Sequence, residues 1–200
     1  MKKLKLKNGN AKIGKDTLIL NITSATDCPT KKLGLCKISK YCYALQPEVR
    51  WTDKVTGVLK SRRMQTKIFD ELSSMDIAYQ ILKKAIRKRR IKIKYVRISE
   101  CGDFRNQKDV NKISKIAELI KESGIRVYGY TARRDLSYSS ISDNLILNGS
   151  YFMMHNRFVP VRQYSEGSIR CKGNCRICNL CKQKKGISIE NKFHGVGFKK

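Results

Sequence analysis

Eight cysteines, placed in two groups, are the residues of this 200-residue chain best suited to chemistry. The C-terminal group has the spacing C-x3-C-x2-C-x2-C and consists of Cys171, Cys175, Cys178 and Cys181. Such short spacings bring the sulfur atoms close together and are typical of loops that wrap an iron–sulfur cluster. Zinc is the alternative at Cys171–Cys181, although its usual paired C-x2-C arrangement has a longer loop between the pairs. The spacing therefore favours a [4Fe–4S] cluster as the metal group.

The N-terminal group has only three members, Cys28, Cys36 and Cys42, at C-x7-C-x5-C. We expect these thiolates to hold a second [4Fe–4S] cluster, unless Cys101 joins them as a fourth ligand. Three protein ligands leave one iron open, and an open iron can bind S-adenosylmethionine, a cofactor that supplies radical chemistry. A lone cysteine at the end of a strand, such as Cys101, is more often a small buried residue.

The cell compartment follows from the same residues. No apolar run is long enough to span a membrane, and the basic N-terminus lacks the apolar block of a signal peptide. We therefore expect a soluble, cytoplasmic protein without a membrane partner. Disulfides are disfavoured in a reducing compartment, which directs the eight cysteines towards metal binding.

The net charge of +28, from 44 basic and 16 acidic residues, is far larger than solubility requires. A field of this size attracts polyanions, so nucleic acid is the expected partner. The alternatives are a solvated lysine-rich surface and a factor that binds a protein complex. The basic residues concentrate in the segment 83–94, and the candidate nucleic-acid contacts are Lys83, Lys84, Arg87, Lys88, Arg89 and Arg90.

Hydrophobic periodicity predicts strands that alternate with helices. Strands are expected at Thr17–Ala25, Ile93–Ser99, Ile125–Arg133 and Asn144–Phe152. Apolar residues at helical spacing predict a helix within Ser61–Arg90 and another that Ser123–Gly124 ends. This alternation indicates an α/β fold, either a partial (β/α) barrel or an open parallel sheet, with a C-terminal cysteine-rich lobe. The expected division is an α/β domain over residues 1–165 and a metal-binding lobe over 166–200.

Polar residues follow each predicted strand, where parallel α/β proteins place their sites. Glu100 and Asp103 are candidate catalytic residues, because they could hold an amino group of a cofactor or act as a general base. Their alternative role is to cap the following helix or to pair with lysines. Arg133 is a third candidate, because a guanidinium clamps phosphate or carboxylate with two hydrogen bonds. The two histidines, His155 and His194, are possible ligands but more often surface or packed residues.

Several motifs, taken in order, resemble the phage gene-product-88 family. They are GNAKIGKD at 9–16, CP…C…CYA from Cys28 to Ala44, S-x-x-GDF at Ser99–Phe104, YGYTAR at 128–133 and the terminal cysteines followed by HG. The resemblance implies a phage origin and a likeness to three-cysteine phage proteins of radical-S-adenosylmethionine type. It adds Ser99 to the front cysteines as a candidate cofactor-binding residue. The sequence departs from the pattern at Cys101, where serine is expected, and in its front spacing, which is longer than the C-x3-C-x2-C of radical S-adenosylmethionine enzymes.

Overall fold

A mostly parallel β-sheet organises the protein, whose computed structural model describes residues 2–51, 57–88 and 90–192. Its strands are β1 (Lys7–Asn8), β2 (Thr17–Leu20), β3 (Tyr95–Ile98), β4 (Arg126–Thr131), β5 (Leu145–Ser150), β6 (Asn156–Val161), β7 (Ile169–Arg170) and β8 (Ser188–Lys192). Within the described ranges these eight strands lie in the order β1-β2-β3-β4-β5-β6-β8-β7. β1 pairs antiparallel with β2, and the other pairings are parallel. The sheet is open, with β1 and β7 at its two edges.

Helices connect the first strands of the sheet. They are α1 (Pro29–Lys32), α2 (Gln46–Arg50), α3 (Val58–Glu71), α4 (Ser74–Ile86) and α5 (Gln107–Leu119). Single 3-10 turns lie at Ser39–Tyr41, Tyr43–Leu45, Lys121–Ser123 and Leu180–Lys182. The apolar residues of α4 and α5, together with Phe69 of α3, form the main core against one face of the sheet. We call this the helical face.

Side chains alternate between the two faces of each strand because successive residues of a strand point to opposite sides. Val96 and Ile98 of β3 belong to the main core, so Tyr95 and Arg97 lie on the second face. Leu145 and Leu147 of β5 also enter the core, which leaves Ile146 and Asn148 on the second face. The second face therefore carries polar and aromatic residues rather than a purely apolar layer.

The prediction of an α/β fold with a parallel sheet is confirmed, and the open alternative describes the sheet. The long basic segment contains two helices, because Ser73 starts α4 with a capping box: its hydroxyl accepts from Asp76 N–H at 3.1 Å. The first predicted strand ends at Leu20, and the last ends at Ser150. α5 ends close to Gly124, whose φ of 72° is left-handed.

The C-terminal part contributes strands that the sequence pattern did not reveal. β6 and β8 pair over five residue pairs, and β8 lies between β6 and β7 in the sheet. The four C-terminal cysteines lie in residues 171–187, which connect β7 to β8; we call this connection the cysteine-rich segment. It is thus flanked by two strands of the main sheet. No helix of the described residues is long and apolar enough to cross a bilayer.

Candidate metal centres

The front cysteines, Cys28, Cys36 and Cys42, lie on the loop that follows β2 at the carboxyl edge of the sheet. We call this loop, which runs to the start of α2, the front loop. Burial, together with the neighbouring Cys28 and Cys42, raises the pKa of the Cys36 thiol to about 11. The three thiols are therefore close enough to interact electrostatically. The structure brings together three side chains that are separated by up to fourteen positions in the sequence.

Hydrogen-bond donors surround the front sulfur atoms. Burial raises the pKa of the Cys28 thiol, whereas the Thr30 hydroxyl, 3.0 Å from its Sγ, and the N–H groups of Thr30 and Lys31 lower it. The N–H of Ile38 acts in the same way on Cys36. Donors directed at sulfur stabilise thiolates and tune iron–sulfur centres. The donor set is consistent with thiolate ligation.

Cys101 occupies a different environment. Its thiol donates to the carbonyl oxygen of Thr23 at 3.3 Å. The residue is buried beside Ala25 and Ala44, in a small apolar cluster against which Cys42 also packs. Burial raises the pKa of the Cys101 thiol to about 12. These contacts match the interpretation of Cys101 as a small buried residue.

Asp103 is buried directly beneath the front loop. Its carboxylate accepts from the N–H of Ala132 at 2.7 Å and from the N–H of Phe104 at 2.8 Å. Burial raises the pKa of Asp103 to about 6, despite these hydrogen bonds and the nearby charge of Arg133. Asp103 also acts electrostatically on Cys28 and Cys36, so this carboxyl group lies beside the front thiols.

Ser99 and Glu100 lie at the end of β3. Ser99 has a left-handed φ of 56°, and its buried Oγ has no hydrogen-bond partner. Left-handed backbone at a non-glycine residue is costly and is often found at binding sites. The carbonyl of Glu100 accepts from the hydroxyl of Tyr43 at 3.1 Å, which ties this strand end to the front loop. Ser99 thus offers a free hydroxyl at the predicted position.

Arg133 is almost fully committed to internal contacts. Its Nη1 donates to the carbonyls of Phe104 and Arg105 at 2.7 and 2.8 Å. Its Nε and Nη2 donate to the Asp135 carboxylate, both at 2.9 Å. Arg133 therefore joins the loop after β3 to the loop after β4 and has little capacity left for a substrate anion.

A buried ion pair that no sequence pattern indicated holds the start of the front loop. Glu48 of α2 accepts from the N–H groups of Ala25 and Thr26, both at 2.8 Å, and pairs with Arg62 of α3. Burial alone would raise the pKa of Glu48, but these hydrogen bonds hold it below its ordinary value. The adjacent Arg63 forms a bidentate pair with Asp27 and lowers the pKa of that carboxyl to about 2.

The cysteine-rich segment lies against the second face of the sheet. Asn148 of β5 donates to the carbonyl of Cys181 at 3.0 Å, and Asn156 of β6 donates to the carbonyl of Gln183 at 2.8 Å. Both asparagines are fully buried. Burial, together with the other three terminal thiols, raises the pKa of Cys181 to about 12, so the four sulfurs are neighbours.

Among the described residues, no three His, Cys, Asp or Glu side chains converge in the arrangement that would hold a single metal ion. Within each group, the thiols lie closely enough to interact electrostatically.

The candidate nucleic-acid contacts lie at the opposite edge of the sheet from the front cysteines. The segment after α4 runs to the amino end of β3, where Lys94 N–H donates to the Asp16 carbonyl at 2.9 Å. Lys83, Arg87 and Arg90 are exposed, whereas Lys84 is half-buried and donates to the Leu6 carbonyl. Arg89 lies outside the described residues. The length of β3, about 13 Å at about 3.3 Å per residue, separates this patch from the front loop.

Of the two histidines, His155 lies within the described residues and His194 does not. His155 accepts from Leu147 N–H at its Nδ1, at 3.0 Å, and burial lowers its pKa. This residue is a neutral, structural histidine. The predicted contact of His194 with the terminal cysteines lies outside the described residues.

The fold and its sites define an α/β protein with an open, mostly parallel sheet, one thiol group at the carboxyl edge and another on the second face. The chain matches the family model described as Gene product 88 over residues 3–193. It therefore belongs to the Gene product 88 family, as its motifs indicated. No curated protein and no solved structure matches it.

Proposed function

We propose that the protein is a phage-encoded iron–sulfur protein of radical-S-adenosylmethionine-like architecture that acts in the host cytoplasm and binds or modifies nucleic acid. One observation carries the proposal: three thiols gather at the carboxyl edge of a parallel sheet while the nearby Cys101 directs its thiol to the Thr23 carbonyl. This arrangement supports a three-thiolate site. All eight cysteines are free, which agrees with a reducing compartment.

The chemistry of the front donor set supports the proposal of a four-iron cluster with one open iron. Cys28, Cys36 and Cys42 would hold it, and the donors from Thr30 and Ile38 would stabilise their thiolates. When bound, such a cluster can bind S-adenosylmethionine and supply radical chemistry. The free hydroxyl of Ser99 and the carboxyl group of the adjacent Glu100 would hold polar groups of the cofactor, whereas both oxygens of the buried Asp103 already accept backbone N–H groups.

A metal analysis tests the identity of the metal. After anaerobic purification, we expect iron together with acid-labile sulfide. Cys28→Ser should remove iron from the front site only, and Cys178→Ser from the terminal site only. Stoichiometric zinc without sulfide would contradict the iron–sulfur proposal at both sites.

A spectroscopic test addresses the open iron. S-adenosylmethionine should alter the electron paramagnetic resonance spectrum of the reduced front cluster, and Cys101→Ser should leave that cluster intact because Cys101 bonds to Thr23 instead. The four-thiolate terminal site should not respond. If Cys101→Ser destroys the front cluster and the cofactor changes nothing, the front site is closed and the enzyme proposal fails.

The nucleic-acid part of the proposal rests on the net charge and on its local concentration after α4. Each phosphate that a cation neutralises releases counterions, so the logarithm of the affinity falls with the logarithm of salt by about 0.9 per contact. Replacing Lys83, Arg87, Lys88 and Arg90 with Ser should reduce this slope by up to about 3.6. The matched control replaces four cationic residues of the front loop, Lys31, Lys32, Lys37 and Lys40.

The same experiment separates the competing functions. The distance between the basic patch and the front cysteines favours, as a second candidate, a non-catalytic nucleic-acid-binding module in which metal only stabilises the structure. A change in slope confined to the patch variant supports that module, whereas a change confined to the front-loop variant supports nucleic acid as the substrate of the front site. No nucleic-acid binding by the unmodified protein would favour the remaining alternative, a factor that binds a host protein complex.

A further inference from the structure

Two hydrogen-bond donors on the second face of the sheet have no acceptor. Arg97 of β3 and Tyr128 of β4 are register partners on neighbouring strands. The Nε–H of Arg97 and the O–H of Tyr128 are both buried and without a hydrogen-bond partner. Buried polar groups are nearly always paired, so two adjacent exceptions require an explanation.

A buried cation lies beside them. Lys182, in the cysteine-rich segment, is only 2% exposed. Its Nζ donates to the Cys175 carbonyl at 2.8 Å and lies 4.1 Å from the centre of the Tyr95 ring. Within the described residues, neither Lys182 nor Arg97 forms an ion pair with a carboxylate. Asp16 acts electrostatically on Lys182 and Glu100 acts on Arg97, but neither carboxylate is paired directly with these cations. Burying a cation without a directly bonded anion is costly, so this part of the structure is suited to receive one.

The terminal cysteines lie where that anion is needed. Arg97 acts on Cys175, and Lys182 acts on Cys175, Cys178 and Cys181. Tyr130 and Cys181 also act on each other electrostatically. The guanidinium of Arg97 lies over the Tyr130 ring, 5.4 Å from its centre, so these donors form one connected group.

We infer that Arg97, Tyr128, Tyr130 and Lys182 form the donor shell of an anionic metal–thiolate site at the four terminal cysteines. Four thiolates around a divalent core, either Zn²⁺ or an oxidised [4Fe–4S] cluster, leave a net charge of about −2, which two cations balance. The thiolate sulfurs also supply the acceptors that Arg97 and Tyr128 lack. This inference rests on the proposed metal site at these cysteines but holds for either metal.

If this donor shell exists, removing one of its members should change metal affinity and metal-free stability in different directions. In the metal-free protein, Arg97 and Tyr128 are buried donors without acceptors, so their removal should leave stability unchanged or increase it. In the metal-loaded protein, the same groups bond to charged sulfur, so their removal should weaken metal binding. Removal of a residue with only a structural role would lower both the metal-free stability and the metal affinity.

The experiment compares two pairs of variants. Arg97→Met is matched by Arg176→Met, which changes an exposed arginine of the cysteine-rich segment, and Tyr128→Phe is matched by the half-exposed Tyr79→Phe. Metal affinity is measured by competition with a chelator, and stability by urea unfolding of the metal-free protein. We expect Arg97→Met and Tyr128→Phe each to weaken metal binding about tenfold or more without lowering the urea midpoint, while the controls change neither.

Each outcome decides between the possibilities. If the unmodified protein holds metal that Cys178→Ser releases, but the variants bind it like their controls, the donor shell is refuted and the metal site stands. Parallel losses of affinity and metal-free stability would also refute it. If the site holds zinc without sulfide and the expected losses occur, the inference stands and the iron–sulfur proposal fails. If the four cysteines hold no metal, both fail.

Discussion

Single residues at the carboxyl edge are constrained by space as much as by chemistry. Gly102 has a φ of 69°, and a Cβ at this position would lie 2.2 Å from Cγ2 of Thr23. Gly34 has nearly the same φ, 67°, but nothing within 4 Å of its Cβ position. The two glycines therefore separate backbone strain from steric exclusion.

We expect Gly102→Ala to destabilise the protein by about 3 kcal/mol or more, because it adds a clash to a left-handed conformation. Gly34→Ala should cost only about 1 kcal/mol. Urea unfolding measures both free energies. Equal losses would mean that the loop after β3 can move away from Thr23.

Asp103 predicts a specific pH dependence in the metal-free protein. Its folded pKa of about 6 lies above the unfolded value of about 4, so the folded state keeps the proton more tightly. The stability that this provides is complete below pH about 4 and is lost as the pH rises through about 6. Between these limits, the free energy of unfolding should fall by about 3 kcal/mol relative to Asp103→Asn. Parallel pH profiles of the two proteins would contradict the raised pKa.

At the scale of elements, α2 and α3 position the front cysteines through the pair Glu48–Arg62. Glu48→Gln keeps the side-chain shape but leaves the half-buried Arg62 without its counter-charge, so we expect a loss of about 3 kcal/mol. Hydrogen exchange at the amides of Ala25 and Thr26 should also become faster. The control is Glu71→Gln, whose exposed pair with Lys2 should contribute less than about 1 kcal/mol. Unchanged exchange at both amides would show that the loop is held elsewhere.

The second element-scale prediction concerns the attachment of the cysteine-rich segment. Asn156→Ala removes donors to Gln183 and Asn148 and an acceptor for Lys185 N–H, all in a buried position. We expect a loss of about 3 kcal/mol and weaker retention of metal at the terminal cysteines. Asn111→Ala, at an exposed position of α5, should change neither quantity. Normal metal retention in Asn156→Ala would indicate that the segment folds independently of the sheet.

Much of the sheet was predictable because its strands are apolar runs that end in polar residues. Leu18 and Leu20, Val96 and Ile98, and Leu145 and Leu147 mark β2, β3 and β5 without ambiguity. β8 was not predictable, because SIENK is polar and only its neighbours β6 and β7 make it a strand. Local sequence cannot report a strand that depends on distant partners.

In the candidate sites, too, local sequence predicts some features, whereas others depend on distant contacts. Cysteine spacing predicted both thiol groups, since their members are close in sequence. The roles of Glu48 and Lys182 depend on contacts with residues more than five positions away, and no local pattern announces them. Arg97 did carry a signal, a charged residue inside an apolar strand, and in the structure it acts electrostatically on Cys175 of the terminal group.

At the scale of the whole molecule, metal removal should affect one region selectively. The cysteine-rich segment exposes Lys172 and Arg176, and α5 exposes Lys108 and Lys115. If metal holds the segment on the second face, chelation should accelerate tryptic cleavage after Lys172 and Arg176 and leave the sites in α5 protected. Mass spectrometry of the early fragments measures this. Equal acceleration at all four sites would indicate global unfolding instead.

The order of the last strands limits when the protein can mature. β8 is made after β7 yet lies between β7 and β6, so β7 has no partner in the sheet until β8 has been synthesised. The cysteine-rich segment joins these two strands and cannot be anchored at both ends before then. Domains begin to fold from the N-terminal side during translation. The front loop can therefore take its place while the ribosome is still working, whereas the segment that carries the terminal cysteines can be anchored at both ends only late in synthesis.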